Sequence, residues 1–198
     1  MEKSIERQKE ENIIVCEMIL NDMKYLSARF LYFNWFFPVG AETANQLLDN
    51  TIKLYLKSIN RLDLIEEIKS WHGNESHNVP RIIELCITKL NSDFNLNVHK
   101  TILEAIYKTY QVRYLENLKK TGEVRGSLKD IRTIDYSYKY FRDKIKVSEH
   151  GKNNTLVYKL LTGIDMWWGE DKNINLRTIL LCDNEYFKNL GEIQGVTL

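Results

Sequence analysis

Apolar residues recur at steps of three and four along the first part of this chain. They fall at Ile13, Cys16, Ile19, Leu20, Met23, Leu26, Phe30, Phe33 and Phe37. This spacing places them on one face of a helix, so it predicts a long first helix that buries that face. Pro38 and Gly40 follow the stripe, and we expect them to end the helix.

Residues that interrupt helices are scarce in the rest of the chain. The 198 residues include only 9 Gly and 2 Pro, whereas a β-sandwich or β-barrel needs many turns. Further helical stripes occupy residues 44–59, 82–90, 98–118 and 127–145. These patterns predict an all-α fold, an antiparallel up-and-down bundle of about five helices.

Two helix starts carry recognisable capping residues. Asn78 is a good N-cap, and Pro80 fits the first turn of the helix that follows it. Ser127 and Asp130 have the spacing of a capping box. We therefore expect helices to begin just after Asn78 and at Ser127.

The chain changes character after residue 150, where Asn, Asp and Gly breaks become frequent. We predict a helical bundle over 1–150 and a partly helical extension over 151–198. The extension should contain a short helix near 155–161 and a second element over 176–190, in which 179–181 could also be a strand. Between them lies the apolar run Met166, Trp167 and Trp168, the best candidate for contact with a protein partner.

The charge balance excludes a strong overall attraction to nucleic acid. Lys and Arg number 28 against 27 Asp and Glu, giving a net charge of +1. Any contact with a nucleotide or RNA must therefore be local.

The polar first residues, the short apolar run and the cysteines lead us to expect a cytoplasmic protein without membrane contact. The first residues are too polar for a signal peptide, and the apolar run over 30–39 is too short to cross a bilayer. Cys16, Cys86 and Cys182 have apolar neighbours and no metal-ligand spacing, so we expect buried, reduced thiols.

The order of several motifs resembles the HEPN family, helical bundles of prokaryotes and higher eukaryotes that are associated with nucleotides and RNA. The resemblance rests on Ala44-Asn45-Gln46 leading to Lys53 and Lys57, on His77-Asn78 before a short apolar helix, and on Arg113-Tyr114 in a later helix. It covers residues 11–147 and departs from the family at Leu115, where a Pro is common. Nothing in it covers 152–198.

The resemblance implies a homodimer that binds a nucleotide or RNA through Lys57, His77, Asn78, Arg113 and Tyr114. His77 would lie at a helix N-terminus, which favours an anionic phosphate, and Arg113 would offer a planar fork of donors. Two other interpretations stay open. His77 and Asn78 are also explained by helix capping, and Arg113 with Tyr114 by a surface ion pair beside a core tyrosine.

A ribonuclease of the HEPN type would need an Arg, a polar neighbour and a nearby His. Arg142 and His150 are the candidates, but the seven residues between them exceed the family's spacing. We therefore expect binding without catalysis, and neither a metal nor a cofactor, because His72 and His77 lack a third ligand. The alternatives are a metal-independent ribonuclease or toxin, using Arg142 with His150 or Arg113 with His77, and a helical scaffold for protein interactions.

Overall fold

A computed structural model describes residues 2–112, 127–162 and 170–187, and these ranges contain helices and no strand. The helices are α1 (Glu2–Phe33), α2 (Phe37–Ser58), α3 (Leu62–Lys69), α4 (Val79–Leu90), α5 (Leu96–Val112), α6 (Lys129–Lys144), α7 (Glu149–Asn153), α8 (Leu156–Thr162) and α9 (Glu170–Leu181). A 3-10 turn, Gly73–His77, precedes α4. The predicted all-α class is confirmed, and the up-and-down order of the helices stays a prediction.

Helix α2 lies at the centre of the packing. It packs most extensively against α1 and also contacts α5 and α6. Leu47, Leu48 and Ile52 of α2 are fully buried in the main hydrophobic core. Because burial of apolar surface is the chief stabilising term, α2 positions the elements that surround it.

The turn between α1 and α2 differs from the prediction. Helix α1 ends at Phe33, the chain turns through Trp35 with φ 65°, and Pro38 and Gly40 lie in the first turn of α2. Proline is tolerated there because its missing N–H has no helical acceptor. A Cβ at Gly40 would lie 2.8 Å from the Tyr32 ring, so glycine permits this close approach. The two residues therefore start the second helix instead of ending the first.

The face that α1 buries is not the predicted one. Ile13, Cys16, Leu20, Met23 and Phe30 of the predicted stripe are exposed to solvent. The buried face instead combines apolar and polar side chains, namely Val15, Met18, Asn21, Asp22, Tyr25, Leu26, Ala28, Arg29 and Tyr32. Asp22, Tyr25 and Arg29 on this face have partners on α6, and these partners make their burial possible.

The capping residues form the expected contacts. The Asn78 Oδ1 accepts a hydrogen bond from the Arg81 N–H at 3.3 Å, and Pro80 lies in the first turn of α4. The Ser127 N–H donates to the Asp130 carboxylate at 3.0 Å, although α6 itself begins at Lys129. Two short helices, α3 and α7, were not predicted.

The described residues beyond 150 contribute to the main core. Leu156, Val157, Leu180 and Phe187 belong to the same buried cluster as α2 and α6. Residues 179–181 are helical, but α9 ends at Leu181 and not near 190. These residues therefore share one buried cluster with α2 and α6, and the division of the chain at 150 stays a prediction.

Two further predictions concern cysteines and membranes. Cys86 is buried as expected, whereas Cys16 and Cys182 are exposed free thiols, so their prediction as buried residues was wrong. No helix in the described part of the chain combines the length and the apolar character that a membrane span requires.

Candidate functional site

Helix α2 holds the 3-10 turn in place through a row of polar side chains. Asn45, Asp49 and Lys53 are spaced four residues apart, so they lie on one face of the helix. The Asn45 amide donates to the His77 carbonyl at 3.0 Å, and the Lys53 ammonium donates to the Ser76 carbonyl at 3.0 Å. These bonds fix the backbone from which the His77 side chain projects.

The His77 imidazole is oriented by a buried carboxylate. Its Nδ1 lies 2.8 Å from Oδ2 of Asp49, whose side chain is only 5% exposed, whereas that of His77 is 41% exposed. The Lys53 ammonium lies 2.6 Å from the other carboxylate oxygen and neutralises Asp49 further. Since a carboxylate accepts the Nδ1 proton, the neutral ring carries its lone pair on Nε2.

Glu75 completes the other side of the turn. Its carboxylate accepts hydrogen bonds from the Asn78 amide at 2.9 Å and the Tyr107 hydroxyl at 3.3 Å, and it pairs with Arg81 at 3.4 Å. The hydrogen bond from Asn78 is the largest cause that lowers the pKa of Glu75. The turn is therefore fixed by α4 and α5 as well as by α2.

Lys57 lies one turn beyond Lys53 and faces a groove between α1, α2 and α3. Its ammonium pairs with Glu17 at 3.1 Å, and both side chains are more than one third exposed. The groove has a volume of about 560 Å³ and an apolar floor that includes Leu20 and Leu54. Its charged lining consists of Glu17, Lys24, Lys53 and Lys57. We call it the lysine groove, because cations outnumber carboxylates in its wall.

Lys53 thus connects two of the predicted ligand-binding residues, His77 and Lys57. Lys53 contacts both Asp49 and the Ser76 carbonyl beside His77, and it lines the groove together with Lys57. The Asn78 side chain is occupied by its cap and by Glu75. The predicted residues Arg113 and Tyr114 lie outside the described residues, as does the predicted partner contact at Met166, Trp167 and Trp168.

Arg142 and His150 have different surroundings. The Arg142 side chain is 12% exposed, and its guanidinium donates to Asp22 at 2.8 Å and to the Thr155 hydroxyl at 2.8 Å. Burial is the largest single influence on the pKa of Arg142 and lowers it, but the neighbouring groups Asp22, Tyr138 and Asp143 together outweigh burial and raise that pKa. The exposed His150 instead contacts Asn154 at 3.2 Å. Neither residue contacts the side chains of Asp49, Lys53, Lys57 or His77 described above.

The sequence predicts His77 and Lys57 as ligand-binding residues, but it did not lead us to Asn45 and Asp49, whose side chains contact His77. The available signal was the four-residue spacing of Asn45, Asp49, Lys53 and Lys57, which marks a second, polar row on one helix. Within the described ranges, no group of three or more His, Cys, Asp or Glu side chains could hold a metal ion.

No protein-family model matches the chain, and no curated protein or solved structure shows a significant match to it.

Proposed function

We propose that this protein binds a phosphate-bearing ligand, a nucleotide or a segment of RNA, at the surface formed by His77, Lys53 and Lys57. The contact between His77 and the buried Asp49 carries the proposal, because it holds an exposed imidazole in one orientation. The resemblance of residues 11–147 to the HEPN family supplies the ligand class. We expect binding without turnover.

The chemistry of these side chains suits an anion. A protonated His77 keeps Nδ1–H on Asp49 and presents Nε2–H to a phosphate oxygen. Lys57 adds an exposed ammonium to the same surface. Because the net charge of the chain is only +1, this local excess of cations is what would attract the ligand.

Titration of the full chain with nucleoside monophosphates, nucleoside diphosphates and short single-stranded RNA tests the proposal. We expect a ligand to raise the melting temperature. His77→Ala should weaken binding about tenfold or more, since a hydrogen bond to a charged group contributes about 1.5–3 kcal/mol. Lys57→Ala should weaken it less.

Matched controls come from the same chain. His72 is an exposed histidine near the same turn, and Lys89 is an exposed lysine on α4. His72→Ala and Lys89→Ala should leave the affinity unchanged. If no ligand shifts the melting temperature, or if His72→Ala weakens binding as much as His77→Ala, the proposal is wrong.

A metal-independent ribonuclease is the second candidate, because a histidine oriented by a buried carboxylate is also the arrangement of a general base. In that case Nε2 of His77 would take the proton from the attacking ribose hydroxyl. Cleavage of labelled RNA in EDTA, by wild type, His77→Ala and Asp49→Asn, separates the two candidates. Loss of cleavage in both variants would favour the ribonuclease, and RNA left intact by the wild type would exclude it.

A homodimer and a cytoplasmic location also remain expectations. The third alternative, a scaffold that docks a protein through Met166, Trp167 and Trp168, depends on residues outside the described ranges.

A further inference from the structure

Helix α1 exposes a row of mostly apolar side chains along its outer face. The row consists of Ile13, Cys16, Leu20, Met23, Ser27 and Phe30, all of them exposed, and we call it the α1 ridge. Leu20 is 57% exposed and Phe30 is 50% exposed. The steps alternate between three and four residues, which is the heptad spacing of coiled-coil helices with knobs-into-holes packing. A row of this kind on a surface marks an interaction site.

The surroundings of the ridge are also suited to close packing. Ser27 satisfies its hydroxyl on its own helix by donating to the Met23 carbonyl at 2.9 Å, so this small residue needs no further partner. The lysine groove runs along one side of the ridge. On the other side lies an almost wholly apolar groove of about 550 Å³, which includes Leu156, Leu176 and Ile179 in its lining.

We propose that the α1 ridge binds the same ridge of a second copy of this chain, with the two helices antiparallel about a two-fold axis between Leu20 and Met23. This register sets Leu20 against the partner's Met23. It also places Ile13 against the partner's Phe30 and the small Cys16 against the partner's Ser27. Every layer then joins two apolar residues or two small ones, as a self-complementary interface requires.

Charges beside the ridge select this register. Glu17 and Lys24 lie on the same flank of the ridge, seven residues apart, and both line the lysine groove. The antiparallel register brings Glu17 beside the partner's Lys24, and Lys24 beside the partner's Glu17. Within one protomer Glu17 pairs with Lys57, whereas Lys24 has no ion pair in the described part of the chain. The second copy supplies its counter-charge.

The first test measures association without any nucleotide, so its outcome is independent of the proposed ligand. Analytical ultracentrifugation of the wild type should show a dimer. Leu20→Glu should give a monomer with unchanged helix content, while Val98→Glu, at a 67% exposed position on α5, should remain dimeric. A monomeric wild type at high concentration, or a Leu20→Glu dimer as tight as the wild type, would overturn the proposal.

Charge reversal tests the register. Glu17→Lys and Lys24→Glu should each weaken the homodimer, because each sets like charges beside one another at both ends. Mixing the two variants creates two opposite-charge pairs in the heterodimer, so the mixture should associate several-fold more tightly than either variant alone. Equal association of the mixture and the single variants would exclude this register.

Cross-linking tests the direction of the helices in a Cys182→Ser background. Adding Ser27→Cys places a new thiol against the partner's Cys16, so mild oxidation should yield a covalent dimer. Without that substitution, the two Cys16 thiols lie about 16 Å apart along the antiparallel helices and should not join. Efficient cross-linking through Cys16 alone would indicate parallel helices and overturn the antiparallel register.

Discussion

The two faces of α1 differ in an unusual way, because charged side chains are buried on the inner face and apolar side chains are exposed on the outer face. The inner face buries two full charges, Asp22 and Arg29, at no more than 1% exposure, whereas the outer face exposes Leu20, Met23 and Phe30. The inner charges are paired with Arg142 and Asp135 of α6. The comparison teaches that complementary partners, and not apolarity alone, decide which face of a helix is buried.

The inner face forms a polar network inside the core. The Tyr25 hydroxyl donates to Asp135 at 2.5 Å and accepts from the Asn184 amide at 2.8 Å, and its ring stacks on Tyr138 at 4.3 Å. Burial raises the pKa of Tyr25, and burial also raises that of Asp135 although Arg29 opposes it. Such groups are stable only while every partner is present.

Removing one buried charge should have the largest effect. Asp22→Ala removes the carboxylate that neutralises the Arg142 guanidinium and accepts from the Val157 N–H, so we expect a loss of about 3–5 kcal/mol in the free energy of unfolding. Asp63→Ala, which breaks an exposed pair with Arg61, should change it little. Urea denaturation compares the two, and equal losses would contradict the importance assigned to the inner face.

Two methionines on the same helix sharpen the comparison next. Met18 is 2% exposed and Met23 is 49% exposed. Met18→Ala should cost about 2–5 kcal/mol, because it leaves a cavity. Met23→Ala should change the free energy of unfolding by no more than about 0.5 kcal/mol.

The free energies of unfolding of these two methionine variants are best compared by urea denaturation in a Leu20→Glu background, so that association through the outer face does not contribute. Comparable costs for the two substitutions would show that the faces have been assigned wrongly.

A smaller effect is expected where α2 meets the inner face. Gly40→Ala would place a Cβ 2.8 Å from the ring of the fully buried Tyr32. The ring must shift, and we expect a net loss of about 1–2 kcal/mol despite the better helix propensity of alanine. Thermal unfolding measures it. A more stable variant would mean that the Tyr32 ring moves freely.

The smallest effect concerns pH at the edge of the inner face. Glu11 accepts hydrogen bonds from the Ser148 hydroxyl and from its N–H, and the hydroxyl is the largest cause that lowers the pKa of Glu11. Its contribution to stability is therefore present above the ordinary value of 4.5 and is lost as pH falls through the lower pKa of the folded state.

Accordingly, Glu11→Gln should lower the melting temperature at about pH 6 and have less effect at about pH 3. Glu10→Gln, at an exposed neighbouring position, is the control and should show no such pH dependence. A Glu11→Gln effect that is equal at both pH values would exclude this assignment.

Features that depend on residues close together in the sequence were predicted correctly. Asn78 and Pro80 mark the start of α4, and the helical stripes led to the all-α class. The buried face of α1 was not predicted, because its polar residues interrupt the apolar pattern. Their partners lie 106 to 120 residues away in the sequence, so no local pattern announces them.

The candidate site also combines a residue that a local pattern predicted with a partner that is distant in the sequence. His77 was predicted from its position before a helix start. Asp49, which orients it, is 28 residues earlier and belongs to a helix whose apolar stripe faces elsewhere. Helix α3 was missed because eight residues carry too short a pattern.

The contacts of Arg29 have a consequence for how the protein is made. Its guanidinium donates to the Ile179 carbonyl at 2.8 Å, and the neighbouring Tyr25 needs the Asn184 amide. A ribosome produces α1 about 150 residues before these acceptor and donor groups. The charge of Arg29 therefore stays hydrated until those later residues have been made, and the core around it can close only then.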